Sequence, residues 1–302
     1  MRLIKASDGR TNLFIWREGE EYYRQKSPIF LKEFTTLKYD VAPQPPDSSM
    51  IYVDVTKPLR FDDGSFDNIY CYHVYEHLTH KEADFFTAQI HRVLKPGGMY
   101  RLSSPDMEMC AGEYLKYLEG SLVEPNDLNL KRYRWAVMKL IEQSLRETTG
   151  GLMLEEIRKG AFDVDYVREK YGESYAAFFV EEPKKETVTT MPPRRSLLKR
   201  LLSLSPEKIM KRIEYANYQR LLKEYRNGIG ADMRKNRETV TLLPDRLYFQ
   251  LILEKQGFVD FKVKDYKTSD IPNWNKYDLD RSNNGDYAYD PSVYAEARKK
   301  KN

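Results

Sequence analysis

Between residues 50 and 106 short apolar runs alternate with one helical pattern. "MIYVDV" is β-branched and aromatic, as strands are. "FDNIYCYHV" is apolar nearly throughout, as strands buried on both faces of a parallel sheet are. Then the period changes. Thr79 is followed three residues later by Glu82, a capping box, and Phe85, Phe86, Ile90, Val93 and Leu94 recur at helical spacing. "KPGG" stops this helix, Gly97 and Gly98 permitting the tight turn, and "MYRLSSPD" reads as the next strand. Strand, strand, helix, strand with short connections predicts an α/β fold built on a parallel sheet. Upstream, residues 3–6 read as a first strand followed by the loop "SDGRTN". Residues 17–34 read as mostly helix, interrupted near Pro28, and "TTLKYDV" as a strand ending at Asp40. "APQPPDSS" is a turn-rich connector, because proline cannot continue a sheet ladder.

After Pro105 the pattern turns helical. "YRWAVMKLIEQSLRE" is amphipathic and ends at Gly150-Gly151, whereas "EEPKKETVTTMPPRR" is a polar loop. Residues 194–226 form a basic helical stretch broken near Pro206. "DRLYFQLILEKQGF" reads as a helix ending at Gly257, and "VDFKVKDY" and "PSVYAEARKK" as an antiparallel pair at the sheet edge. The division expected is a sheet domain in two parts, 1–106 and 246–302, with a helical insertion, 107–245, between them. No internal repeat is visible.

Composition narrows the classes. The 302 residues are 41% hydrophobic and 32% charged, with a mean hydropathy of −0.71. No apolar run approaches the ~20 residues of a membrane span, and "MRLIKASDGR" does not resemble a signal peptide. The two cysteines, Cys71 and Cys110, suit buried thiols in a reducing compartment, so a cytoplasmic protein is expected. The net charge of +4 is uneven. Residues 191–237 carry 13 Lys/Arg against 4 Asp/Glu, a local +9, leaving 4 − 9 = −5 for the rest. Three readings fit the basic stretch: a solvated helix face, peripheral contact with an anionic membrane or lipid-linked substrate through 194–226, or a polyanion. No recognisable module makes it a specific nucleic-acid binder.

Chemistry concentrates in "YCYHVYEHLTHKE", which holds three of the four histidines. His73, Glu76 and His77 spell H-x-x-E-H, a zinc-peptidase pattern. That pattern needs both imidazoles one helical turn apart on one helix. Here His73 ends a strand and the helix begins only after Thr79, so no metal site is expected. His77 suits a general base at neutral pH, or a structural hydrogen-bonding role before the cap. His80 and His91 fall on the helix and read as surface residues.

The segment "VDVTKPLRFDDGSFDNIYCYHVYEHLTHKEADFFTAQIHRVLKPGGMYRLSSPD" as a whole resembles the core of class I S-adenosylmethionine-dependent methyltransferases of the type 11-like kind. The elements that carry the resemblance are the strand-end Asp, the "SFD" opening, "HVYEH" and "RVLKPGG". The long helical region and the ending "SDIPNW…PSVYAEARK" resemble a bacterial subgroup often associated with surface-glycan or other cell-envelope biosynthesis. The resemblance implies a Rossmann-like doubly wound sheet, mostly parallel with an antiparallel C-terminal edge pair, and S-adenosylmethionine as cofactor. It implies a small-molecule or glycan acceptor, with O-methylation as the reaction, and a helical cap over the acceptor. It places Asp40 near the ribose, Asp54 near the adenine, and Tyr72 and His73 where cofactor and acceptor meet, with His77 and His73 as catalytic candidates. The family's glycine-rich loop is reduced: upstream of Asp40 the chain has only Gly9 and Gly19, and Asp8-Gly9 in "SDGR" is the expected remnant. A methyltransferase-like binding or scaffold protein without catalysis is therefore the alternative.

Overall fold

The computed structural model describes residues 3–16, 30–43, 51–145, 151–172, 176, 206–228, 239–281 and 292–301. Seven strands form one sheet: β1 (Asn12–Trp16), β2 (Thr35–Tyr39), β3 (Ile51–Val53), β4 (Phe66–Tyr72), β5 (Leu94–Pro105), β6 (Phe258–Lys264) and β7 (Ser292–Lys299). Their order is β3-β2-β1-β4-β5-β7-β6. The first five pair in parallel, while β7 runs antiparallel to both β5 and β6. This is the doubly wound Rossmann order with a reversed strand inserted near one edge, and the order reverses direction between β1 and β4. The sheet type and the antiparallel C-terminal strands agree with the sequence reading.

The first strand does not lie where the sequence pattern put it. Residues 3–6 contribute only an isolated bridge, Lys5 to Thr11, and the strand is "NLFIW", 12–16. All five of its residues are buried, so it shows no alternation to distinguish it from a core helix segment. The "SDGR" turn thus precedes β1 instead of following it.

Helix α1 (Phe30–Glu33) precedes β2, and α2 (His80–Val93) links β4 to β5. The capping box on α2 is present. Thr79 Oγ1 accepts from Glu82 N at 3.4 Å, and Glu82 Oε2 accepts from Thr79 N at 2.9 Å. At the α2–β5 junction a Cβ on Gly98 would lie 2.9 Å from the Asp67 and Lys95 carbonyl oxygens, so only glycine fits this approach. Of the helix expected over 17–34, residues 17–29 lie outside the described residues, as do 44–50 of the proline-rich connector.

Each sheet face is covered. On one, Ile69, Cys71 and Leu102 pack against Ala83, Phe86 and Ile90 of α2 and Phe249 and Leu253 of α8 (Arg246–Lys255). On the other, Phe14, Trp16, Tyr70 and Tyr72 pack against Ile271, Trp274, Tyr277 and Leu279. Burying such side chains contributes about 1.5–3 kcal/mol each. Between β5 and α8 come α3 (Met107–Val123), α4 (Asp127–Leu145), α5 (Gly151–Arg158), α6 (Val164–Tyr171) and α7 (Pro206–Asn227). The helices α3 to α6 enclose a separate core around Trp135, Met153, Phe162 and Tyr166. Gly151, read as a helix stop, instead opens α5.

Candidate functional site

An open parallel sheet places its ligand at the carboxyl ends of the strands, beside the point where strand order reverses. Here that point lies between the ends of β1 and β4, at Trp16 and Tyr72. The residues that follow each strand are therefore the candidates.

His73 leaves β4 with φ +48, in the left-handed region that non-glycine residues adopt at an energetic cost. Its backbone N–H still donates to Ser103 of β5 at 3.1 Å. The turn swings the imidazole between the exits of β4 and β5 and the start of β7. His73 Nδ1 is 2.9 Å from Glu76 Oε1, and His73 Nε2 is 2.9 Å from Ser292 Oγ at the start of β7. Ser104 Oγ, near the end of β5, donates to Glu76 Oε2 at 3.1 Å. All four side chains are buried, and the Tyr72 ring lies against the imidazole at 4.4 Å between centroids.

Glu76 sits in a 3-10 turn, residues 75–77, that holds the chain between β4 and α2. Its carbonyl accepts from Thr241 N at 2.7 Å and Leu242 N at 3.1 Å, tying the turn to the segment before α8. Burial pushes the Glu76 carboxyl up, but His73 beside it, through charge and hydrogen bond, and then His77 outweigh this and hold it below the usual carboxylate range. The site thus keeps an anion beside an imidazole. His77 occupies the last position of the same turn and is buried beside Glu76, two residues before the cap. The two imidazoles lie on a strand exit and a 3-10 turn, so they do not share the helix that the zinc pattern requires. Among the described residues no group of three or more His, Cys, Asp or Glu side chains is placed to hold a metal ion.

The two acidic strand ends differ. Asp40, directly after β2, accepts from Ala42 N through Oδ1 at 2.9 Å, while its backbone N–H donates to Val53 O. Asp54, after β3, is more heavily engaged. Its Oδ1 accepts from Thr56 N at 3.1 Å and Thr56 Oγ1 at 2.6 Å, and its Oδ2 pairs with Lys57 at 3.0 Å. Burial opposes the anion at Asp54, but Thr56 and Lys57 outweigh it and lower the carboxyl. Asp40 therefore keeps one carboxylate oxygen for a diol, whereas both oxygens of Asp54 serve its own turn. A carboxylate oxygen of this kind is the acceptor that a diol such as a ribose would require.

Asp8 and Gly9 are not part of this edge. Because β1 starts at Asn12, they stand at the amino ends of the strands, next to the Thr11–Asp67–Lys95 cluster. Asp8 binds Arg10 at 2.6 Å and accepts from Asn273 Nδ2 at 3.1 Å. Gly9, with φ +82, makes a surface turn with nothing within 4 Å of its Cβ direction. Residues 17–29, which do follow β1 and contain Gly19, lie outside the described residues.

The sequence reading missed Ser104 and Ser292 as partners and treated Glu76 only as a letter of the motif. The i, i+3 spacing of His73 and Glu76 was visible. Ser292, more than two hundred residues away, carried no local signal. A second buried group was also missed. Arg101 of β5 pairs with Asp280 at 2.8 Å and Glu296 at 2.9 Å, with its guanidinium 4.5 Å from the Trp274 ring centroid.

Residues 30–102 match the model of a methyltransferase domain family. That span runs from α1 through β2, β3, β4 and α2 into β5, and so takes in Asp40, Asp54 and the His73–Glu76 pair. No curated protein matches the chain. Solved structures that resemble it include an S-adenosylmethionine-dependent methyltransferase from Methanosarcina mazei, 11% identical over 96% of this chain and 93% of that one, with a TM-score of 0.35. Another is a methyltransferase from Archaeoglobus fulgidus, 12% identical over 95% and 86%, with a TM-score of 0.35. A third is phosphoethanolamine N-methyltransferase 2 of Haemonchus contortus in complex with S-adenosyl-L-methionine, 13% identical over 100% and 50%, with a TM-score of 0.34.

Proposed function

We propose that the chain, whose residues 30–102 match a methyltransferase-domain family, acts as a class I S-adenosylmethionine-dependent methyltransferase and methylates a hydroxyl group of a small-molecule or glycan acceptor at the carboxyl edge of the sheet. S-adenosylmethionine is the cofactor of that family and supplies an electrophilic methyl group. The observation that carries the reading is the convergence of this matched segment on one edge, with an engaged imidazole–carboxylate pair beside the point where strand order reverses. In this reading Asp40 accepts hydrogen bonds from the cofactor's ribose, and Asp54 stands near the adenine as the weaker candidate. Tyr72 walls the site, and His73 faces the acceptor. His77 is the second catalytic candidate; its place in the turn before the cap favours a structural role. Methyl transfer depends chiefly on alignment of acceptor oxygen, methyl carbon and sulfur. The described helices α3 to α6 supply the cap over 107–245 that would shape the acceptor pocket.

The test is calorimetric titration with S-adenosylmethionine, then assay of S-adenosylhomocysteine release with a panel of free and nucleotide-linked sugars. Absence of binding at millimolar S-adenosylmethionine would overturn the catalytic reading. It would favour a methyltransferase-like binding protein, a reading supported by the displacement of "SDGR" to the far end of the sheet.

The basic stretch 194–226 is proposed to touch an anionic membrane surface peripherally. Residues 194–205 lie outside the described residues. In α7, Met210, Ile213, Tyr215 and Leu221 are exposed alongside Lys211, Arg212, Arg220 and Lys223. No described helix is long and apolar enough to cross a membrane. Equal flotation with neutral and anionic liposomes would overturn surface contact.

A further inference from the structure

The proposed function leaves open what takes the acceptor's proton. An alcohol gives up its proton as it is methylated, whereas a carboxylate acceptor has none to lose. We infer that Glu76 is a positioning residue that holds His73 as the Nδ1–H tautomer, so that Nε2, facing Ser292, is the proton acceptor for an alcohol substrate. The inference rests on the methyltransferase reading for the substrate and on this chain's own geometry for the tautomer.

The geometry has three parts. First, an ionised carboxylate can only accept, so the 2.9 Å contact of Glu76 Oε1 with His73 Nδ1 requires a proton on Nδ1. Second, a neutral imidazole with Nδ1–H has its lone pair on Nε2, 2.9 Å from Ser292 Oγ, which then donates to it. Third, Glu76 is itself fixed, by Ser104 Oγ on Oε2 and by Thr241 and Leu242 on its carbonyl. Carboxylate, imidazole and hydroxyl thus stand in the order that makes a histidine a base: an orienting acid, a ring of defined tautomer, and a hydroxyl at the basic nitrogen. The left-handed backbone at His73 is the cost of aiming the ring this way.

As the acceptor oxygen bonds to the methyl carbon, its O–H proton passes to His73 Nε2. The transfer is direct, or runs through Ser292, whose own proton moves to Nε2 as it takes the acceptor's. The imidazolium so formed is stabilised by Glu76 and afterwards returns the proton to water. Among the described ionisable groups, the Tyr72 ring lies against this imidazole, His77 stands beside Glu76, and Asp280 on the opposing segment acts on the ring electrostatically. Asp280 is already bound to Arg101 and Tyr70, and it adds to the stabilisation of the imidazolium.

The test reads the tautomer directly. The chain has four histidines, so long-range proton–nitrogen correlation spectra of protein labelled with 15N-histidine are resolvable, and His73→Gln identifies the His73 signals. At neutral to mildly alkaline pH the wild type is expected to show a protonated Nδ1 and an unprotonated Nε2. Glu76→Gln should lose that preference, because an amide can donate or accept, whereas Ser292→Ala should retain it. An Nε2–H tautomer in the wild type, or a Glu76→Gln spectrum with the tautomer unchanged, would overturn the inference. If Glu76→Gln does not fold, the wild-type and Ser292→Ala spectra decide it. With a hydroxylated acceptor from the panel, Glu76→Gln should lower kcat about 10²-fold with KM for S-adenosylmethionine unchanged; parallel loss of both would overturn a positioning role. A chain with the Nδ1–H tautomer but no calorimetric binding of S-adenosylmethionine would sink the proposed function alone.

Discussion

Two buried polar clusters sit within a few residues of each other on β4, β5 and β7, and they are built to different ends. Around Arg101 the guanidinium meets Asp280, Glu296 and the carbonyls of Asp265 and Thr268, with aromatic rings from Trp274 and Tyr294 close by. Tyr70 donates to Asp280 as well. The cluster lies inside the sheet's span and binds the 265–281 segment to one face. Around His73 the described partners are a carboxylate and a hydroxyl, the backbone is in the left-handed region, and the position is a strand exit at the carboxyl edge of the sheet. The first cluster pairs a cation with two carboxylates, whereas the second sets an imidazole between a carboxylate and a hydroxyl. Burial of charge alone does not mark a functional site; its place relative to the strand ends does.

Breaking the Arg101 cluster should have the largest effect on the fold. Arg101→Met leaves Asp280 and Glu296 in the core without their cation, and removal of one partner of a buried ion pair costs about 3–5 kcal/mol. Urea denaturation should show a loss of that size. A change under 1 kcal/mol would mean that the cluster is not the anchor of the 265–281 segment. His73→Gln tests the other cluster. Turnover with a hydroxylated acceptor should fall about 10²–10⁴-fold, while S-adenosylmethionine binding by calorimetry stays within about 2-fold. Equal losses in both would place His73 in cofactor binding.

The contrast explains what was legible in the chain. The strand–helix–strand run 50–106 was readable because a capping box and a change of period mark α2, and because β4 is apolar throughout. The first strand was misplaced because "NLFIW" follows a turn and is buried on both faces, so neither alternation nor length separates it from its neighbours. That slip moved Asp8 and Gly9 from the ligand edge to the far one. His73 and Glu76 were visible as a motif because they are three residues apart. Ser104 reaches from β5 to the turn after β4, Ser292 and Glu296 act from β7, and Asp280 acts from the 265–281 segment, and no local pattern encodes partners 179 to 219 residues away.

Asp40 and Asp54 offer a finer comparison at the same edge. Asp40→Asn removes the charge from the carboxylate with an oxygen to spare and should weaken S-adenosylmethionine binding about 10-fold, a charged hydrogen bond contributing about 1.5–3 kcal/mol. Asp54→Asn should weaken it less, because both Asp54 oxygens already serve Thr56 and Lys57. The reverse order would exchange their roles. Acid titration separates Glu76 in a similar way. Its folded carboxyl is held below the unfolded value of about 4.3. The anion therefore stabilises the fold above that pH, and the contribution is lost as pH falls through the depressed folded value. The stability gap between wild type and Glu76→Gln should shrink across that acid range, and a gap independent of pH would show that Glu76 is not an anion in the fold.

The smallest expected effect is at Thr79, which separates helix capping from site chemistry within one motif. Its hydroxyl accepts from Glu82 N, and its own N–H is satisfied by Glu82 Oε2. Thr79→Ala loses the first of these and should cost about 1 kcal/mol, seen as a lower denaturation midpoint with an unchanged slope. His73 and Glu76 lie before the cap and are held by β5, β7 and the 241–242 segment, not by α2. The His73 tautomer and the affinity for S-adenosylmethionine should therefore stay as they are in Thr79→Ala. If the tautomer shifts with the cap, the 3-10 turn and α2 form one mechanical unit, and the positioning of His73 extends along the helix that the capping box begins.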